Sequence, residues 1–127
     1  MPRPVAQFAT FPIPPGTADF GSRAVTEMSG TDVFVVLFEY GPESLGRVLF
    51  ARQGMPRHLE ARDFSPYTLR RGLGGQAGTQ WFFTQSGRPF TMYAVLGSYA
   101  NRHALVPLVN GLLAQIVVEP TVAPARA

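Results

Sequence analysis

Six consecutive apolar residues, Val33–Phe38, constrain the fold more than any other stretch of the chain. In a β-strand alternate side chains point to opposite faces, so one face receives Val33, Val35 and Leu37. The other face receives Phe34, Val36 and Phe38, which are equally apolar. Both faces must be covered, because either one would otherwise leave large apolar side chains in water. The sequence therefore predicts a central strand over 33–40.

A second regular pattern lies near the C-terminus. Apolar residues recur there with the three- and four-residue spacing of an amphipathic helix: Leu105, Leu108, Val109, Leu112, Leu113 and Ile116. We predict a helix over 104–115 whose apolar stripe packs on the sheet. Pro107 must then lie in its first turn or kink it, since proline lacks the N–H and its ring clashes with the preceding turn.

Segments with two-residue periodicity predict two antiparallel hairpins. The first pairs residues 24–28 with the 33–40 strand across the turn residues 29–32. The second pairs 79–85 with 90–96 across a Ser-Gly-Arg-Pro connection. Two hairpins and one amphipathic helix predict an α+β domain, a mainly antiparallel sheet with the C-terminal helix packed on it.

Proline content divides the chain into three parts. Residues 1–22 hold five prolines, which exclude a helix and favour an extended arm. Residues 23–119 are predicted to form a single α+β domain, within the size range of one ordinary domain. Residues 120–127 have little to bury, so we expect a disordered or extended tail.

Composition excludes several classes of protein. The absence of Cys rules out disulfides, thiolate metal sites and cysteine nucleophiles. No apolar run approaches the roughly 18 residues of a membrane span, and the N-terminus has no cleavable apolar segment. We expect a cytoplasmic protein if Met1 is the natural start, and an exported domain if an anchor was removed.

The glycine-rich run Gly72–Gly78 fits the G-x-G-x-x-A spacing of a dinucleotide-binding loop. That motif needs a strand before the glycines and a helix after them. Here the predicted order is reversed, with a short helix starting at Ser65 and an aromatic strand following. The P-loop pattern fails too, since it requires lysine and the chain has none. We predict an exposed connection that binds no cofactor, with positive φ at Gly74 and Gly75.

Catalytic and metal-ligating patterns are also missing. His58 and His103 are far apart, and the acids Glu60 and Asp63 near the first match no common zinc spacing. There is no G-x-S-x-G elbow to present a nucleophilic serine. We therefore expect a protein that is not an enzyme and that holds no metal.

Arginine is unevenly distributed. Residues 47–71 hold six arginines against two acids, a net charge of +4, whereas the rest of the chain carries −1. An anion-binding surface requires such a concentration of charge. The candidates are Arg47, Arg52, Arg57, Arg62, Arg70 and Arg71. The first four recur every five residues, a spacing that no helix or strand aligns on one face, so a solvated polar face is the alternative.

The second hairpin is aromatic on both faces, through Trp81, Phe82, Phe83, Phe90 and Tyr93. A chain of this length has few elements to cover two faces, so the arm, the middle segment or a second subunit must contribute. Phe8, Phe11 and Ile13 are the arm residues expected to make contact, with the body of the domain or with a partner.

The stretch GGQAGTQWFFTQSGRPFTMYAVLGS, with HALVPLVNGLLAQIVVE after it, resembles a small uncharacterised domain of high-GC actinobacterial proteins. In such domains a G-R-x-F strand and a hydrophobic C-terminal helix close the fold. The resemblance covers 31–119 and rests on structural residues. It implies an actinobacterial origin and carries over no site residue.

Two functional hypotheses follow from these patterns. The first is a non-enzymatic interaction module that binds protein, as a homo-oligomer or as a subunit of a larger assembly. The alternative is an Arg-rich anion-binding domain that contacts nucleic acid, acidic lipid or an acidic protein.

Overall fold

The computed structural model describes residues 3–12, 25–68 and 75–120. Its strands and helix are β1 (Arg3–Ala9), β2 (Val33–Glu39), β3 (Ala77–Gln85), β4 (Arg88–Leu96) and α1 (Arg102–Gln115). Short 3₁₀ turns between β2 and β3 span Pro42–Ser44, Val48–Phe50 and Ala61–Asp63. The described strands form one antiparallel sheet in the order β1-β2-β4-β3, and α1 packs on it. The predicted α+β class is confirmed.

β2 lies inside the sheet, between β1 and β4, as its apolar pattern predicts. Residues 33–38 expose 3% or less of their surface. The face with Val35 packs in one cluster with buried residues of α1, and the face with Phe34 packs against Val25 and Met28. Burying six such side chains contributes on the order of 10 kcal/mol before the entropy of ordering the chain is subtracted.

The strand on the outer side of β2 comes from the proline-rich arm. β1 pairs antiparallel with β2, with Phe8 opposite Val35. The prediction that residues 24–28 supply this strand is wrong, because residues 25 and 26 are helical and Val25 covers one sheet face instead. Pro4 is tolerated because β1 is an edge strand, where a β-bulge after the proline shifts the register.

The second hairpin forms as predicted, with longer strands. Its connection is only two residues, Ser86 and Gly87, because Arg88 already belongs to β4. Both turn residues have positive φ, of 54° and 73°, as in the type I′ turns whose twist matches that of the flanking strands. Across the hairpin the rings of Phe83 and Phe90 stack with centroids 5.5 Å apart.

The predicted helix is confirmed, and its buried stripe is narrower than expected. Leu105, Val109 and Leu113 are buried against the sheet, whereas Leu108 is 44% exposed. Pro107 lies in the second turn of α1. Pro107 lies on the exposed side of the helix, four residues after the exposed His103. Solvent can therefore reach the backbone carbonyl that the missing N–H of Pro107 leaves without a partner.

The glycine-rich connection is only partly exposed. Gly75 is exposed and has φ +89°, as predicted. Residues 76–78 are buried, and β3 begins at Ala77, so the exposed connection is shorter than predicted. Gly74 lies outside the described residues. The short helix predicted from Ser65 is not found in its described part, where residues 66–68 form a turn and a bend.

Candidate partner-binding surface

The outer edge of β3 is paired at both ends with the segment that follows β2. Gln53 forms a β-bridge with Thr84. The Thr84 N–H donates to the Arg52 carbonyl at 2.8 Å, and the Thr84 carbonyl accepts from the Gly54 N–H at 2.8 Å. At the other end of the strand, Ser65 and Gly78 exchange two backbone bonds of 2.9 Å. Both ends of this edge are thus hydrogen-bonded within the chain.

The opposite edge of the sheet, formed by β1, is open as far as the described residues go: none of their strands or bridges lies on its outer side. Arg3, Pro4 and Val5 are exposed, Val5 by 44%. An open edge strand is a template for another extended chain, and Pro4 with its bulge limits pairing to the C-terminal part of β1.

A groove of about 430 Å³ lies beside β1. Its lining is mostly apolar: Val5, Ala6, Phe8, Leu37, Phe90, Ile116, Val117 and Val118, with Arg88, Gln115 and Glu119 as polar members. Val5 lies on one side of the groove and Val117, which is 80% exposed, lies on the other. Both valines leave apolar surface in contact with water. A concave site of this size, lined by apolar side chains together with polar groups, is typical of ligand and partner binding.

Arg57 fixes the start of the groove wall opposite β1. Its guanidinium donates to the carbonyls of Leu113 and Ile116, at 2.6 and 2.5 Å. The last carbonyls of a helix have no intrahelical partner, and a cation there also complements the helix dipole. Arg57 therefore caps α1 and sets the direction in which the chain leaves it.

The rest of that wall is held by the second hairpin. The Ser86 hydroxyl donates to the Val118 carbonyl at 2.7 Å, and Arg88 donates to the Glu119 carbonyl at 2.9 Å. The segment 116–119 has no regular secondary structure, yet the carbonyls of Ile116, Val118 and Glu119 are held by side chains from other elements. The groove is therefore preformed and does not depend on a partner for its shape.

A bidentate ion pair lies at the groove. Arg88 donates through Nε and Nη2 to the two carboxylate oxygens of Glu39, at 2.8 and 2.7 Å. These bonds outweigh partial burial and, with the charges of Arg88 and Arg3, hold the pKa of Glu39 below its ordinary value. The same pairing raises the pKa of Arg88. The pair is neutral as a unit, so it gives the groove polarity without net charge.

The structure places the predicted contact residues of the arm on different faces of the sheet. Phe8 is half-buried against the main core and also lines the groove. Phe11 is half-buried on the other sheet face, where its ring is tilted against that of Phe34 at 6.3 Å. Ile13 lies outside the described residues. Of the two alternatives for the arm, the structure shows contact with the body of the domain. Val5 and Val117 were missed, because Val5 follows a proline in the arm and Val117 lies past the end of the helical stripe, where neither belongs to a regular pattern.

The structure does not bring all the predicted anion-binding arginines together. Arg57 caps α1, and Arg62 pairs with Glu60 at 2.7 Å on the surface. Arg47 is exposed at the start of the Val48–Phe50 turn, and the Arg52 guanidinium lies 5.1 Å from the centre of the Trp81 ring. Arg70 and Arg71 lie outside the described residues.

The described residues give little support to a metal site or to a membrane-spanning helix. Nowhere in them do three potential metal-ligating side chains lie together. Glu60 and Asp63, the acids near His58, instead cap the Ala61–Asp63 turn, where the Glu60 N–H donates to Asp63 Oδ2 at 2.7 Å. In the part of the chain that the structure describes, no helix has both the length and the apolar character to cross a membrane.

No family model matches the chain, and neither a curated protein nor a solved structure does. The resemblance to actinobacterial domains stays a prediction. The open edge and its groove must therefore be interpreted from their own geometry.

Proposed function

We propose that the protein is a non-enzymatic interaction module that associates with a second copy of the same chain through the open edge of β1. The observation that carries the proposal is the preformed apolar groove beside an edge strand that no described element covers. Exposed apolar surface rimmed by polar groups marks association sites.

A second copy fits this surface better than an anionic ligand. Arg88 is neutralised by Glu39 and the other charged residue of the lining is Glu119, so the groove offers no free positive charge with which to select an anion. Around a two-fold axis, identical edge strands pair antiparallel and both open edges are satisfied at once. Val5 and Val117 of each copy then leave solvent at the same interface.

Sedimentation velocity over a wide concentration range tests the proposal. We expect the wild type to dimerise reversibly, and Val5→Asp and Val117→Asp each to weaken the dimer about tenfold or more, because each places a charge in an apolar interface. Val48→Asp is the matched control: Val48 is 91% exposed but lies away from the groove lining.

Two outcomes contradict the proposal. A wild type that stays monomeric at every concentration shows that the edge does not bind a second copy. A dimer unaffected by both groove variants places the interface elsewhere. Truncating the arm is not an equivalent test, because it removes β1 from the sheet.

A further inference from the structure

The short loop 45–49 exposes three aliphatic side chains within five residues. Leu45, Val48 and Leu49 are 40%, 91% and 55% exposed. Scattered apolar residues on a surface are ordinary, but a group of neighbours calls for a physical reason. This loop lies outside the lining of the groove, so the proposed self-association does not account for it.

The loop is firmly anchored at its C-terminal end by Phe50, which is 3% exposed. Its ring makes edge contacts with Tyr40 and Phe82, with centroids 5.0 and 5.7 Å away. The Thr84 hydroxyl donates to the Phe50 carbonyl at 2.8 Å. Because Phe50 occupies the space against the sheet, the preceding aliphatic side chains are left pointing into solvent.

Positive charge accompanies the aliphatic residues. Arg47 lies within the loop and Arg52 just after it, and both residues are exposed. Neither forms an ion pair with a carboxylate of the described residues. The nearest acid in the sequence, Glu43, folds its carboxylate back over Gly41. The loop therefore lies beside two cationic side chains that no described carboxylate neutralises, although the Arg52 guanidinium also lies over the Trp81 ring.

We propose that loop 45–49 docks on an anionic lipid surface. The three aliphatic side chains enter the boundary between headgroups and acyl chains, while Arg47 and Arg52 contact lipid phosphates. Apolar insertion and electrostatic attraction are each weak alone and add to useful affinity when combined. Nucleic acid would use the arginines but leave Val48 and Leu49 in water. The proposal goes beyond self-association and does not depend on it.

Vesicle co-sedimentation tests the proposal, with phosphatidylcholine vesicles compared with vesicles that also contain phosphatidylglycerol. We expect the wild type to bind the anionic vesicles and to dissociate as salt rises. Val48→Asp combined with Leu49→Asp should abolish binding, and Arg47→Gln should weaken it roughly fivefold. Tyr67→Asp is the matched control, because Tyr67 is equally exposed, at 91%, and lies outside the loop.

Three outcomes would overturn the proposal. The first is an absence of binding to anionic vesicles. The second is binding that survives the double aspartate variant, which would show that the aliphatic residues contribute nothing. The third is equally tight binding to duplex DNA, also retained by that variant. Thermal melting of each variant serves as the folding control, since these exposed substitutions should leave the melting temperature almost unchanged.

Discussion

The two edges of the sheet are completed in different ways. The middle segment of the chain closes the β3 edge, with Gln53 at one end of the strand and Ser65 at the other. Among the described residues, the β1 edge has only Pro4 and a neighbouring bulge as protection. The β3 edge is hydrogen-bonded at both ends to a distant segment of the backbone. At the β1 edge, the proline and the bulge only make pairing less favourable. The difference indicates which side of the domain is available to a partner.

The groups that hold each side also differ. On the closed side, the buried ring of Phe50 and the buried Thr84 hydroxyl bond hold the covering segment in place. On the open side, the wall beside β1 is held by partly exposed groups from Arg57, Ser86 and Arg88. The closed side should therefore depend on buried apolar packing, and the open side on polar contacts, among them the pairing of Arg88 with the titratable Glu39.

The largest effect is expected on the closed side. Phe50→Ala removes a buried ring from between Tyr40 and Phe82 and leaves a cavity, so it should lower the free energy of unfolding by about 3 kcal/mol. Urea denaturation measures this loss. Val5→Ala on the open edge is the control and should cost roughly 0.5 kcal/mol or less. Comparable losses for both variants would contradict the difference between the edges.

An intermediate effect is expected at the ion pair on the open side. Glu39→Gln removes the carboxylate that accepts two bonds from Arg88, and should cost about 2 kcal/mol at neutral pH. The folded-state pKa of Glu39 lies below its unfolded value near 4.5. Its contribution is therefore fully present above pH 4.5 and is lost as pH falls through the folded pKa.

Unfolding curves recorded from neutral to acidic pH test this assignment. The stability difference between wild type and Glu39→Gln should shrink as the pH falls below 4.5. A difference that stays constant with pH would show that the substitution acts through packing and not through charge.

The smallest of the three effects is expected at the bridge that closes β3. Thr84→Val keeps the shape of the side chain but removes the hydroxyl bond to the Phe50 carbonyl, and should cost about 1 kcal/mol. Hydrogen exchange of the Gly54 amide, which donates to the Thr84 carbonyl, should become faster. Unchanged exchange there would mean that the hydroxyl does not help to hold the covering segment.

The candidate surface was only partly predictable. Phe8 was expected to contact the body of the domain or a partner, and it packs against the main core beside the groove. Arg57 was predicted from charge as an anion-binding residue, whereas it caps α1 through carbonyls more than 50 residues away in sequence. A charged side chain in sequence does not reveal whether its partner will be a ligand or the chain itself.

The sequence alone determined the elements whose pattern is local. The double-faced apolar run required an interior β2, the three- and four-residue spacing required α1, and alternation around Ser86 required the second hairpin. Only the tertiary structure decided that β1 and not residues 24–28 pairs with β2, that Gln53 closes the far edge, and that residues 116–119 form the wall of a groove. Periodicity records which face of an element is buried, because burial acts on each side chain in turn. It does not record which distant backbone completes an edge, because every backbone carries the same donors and acceptors.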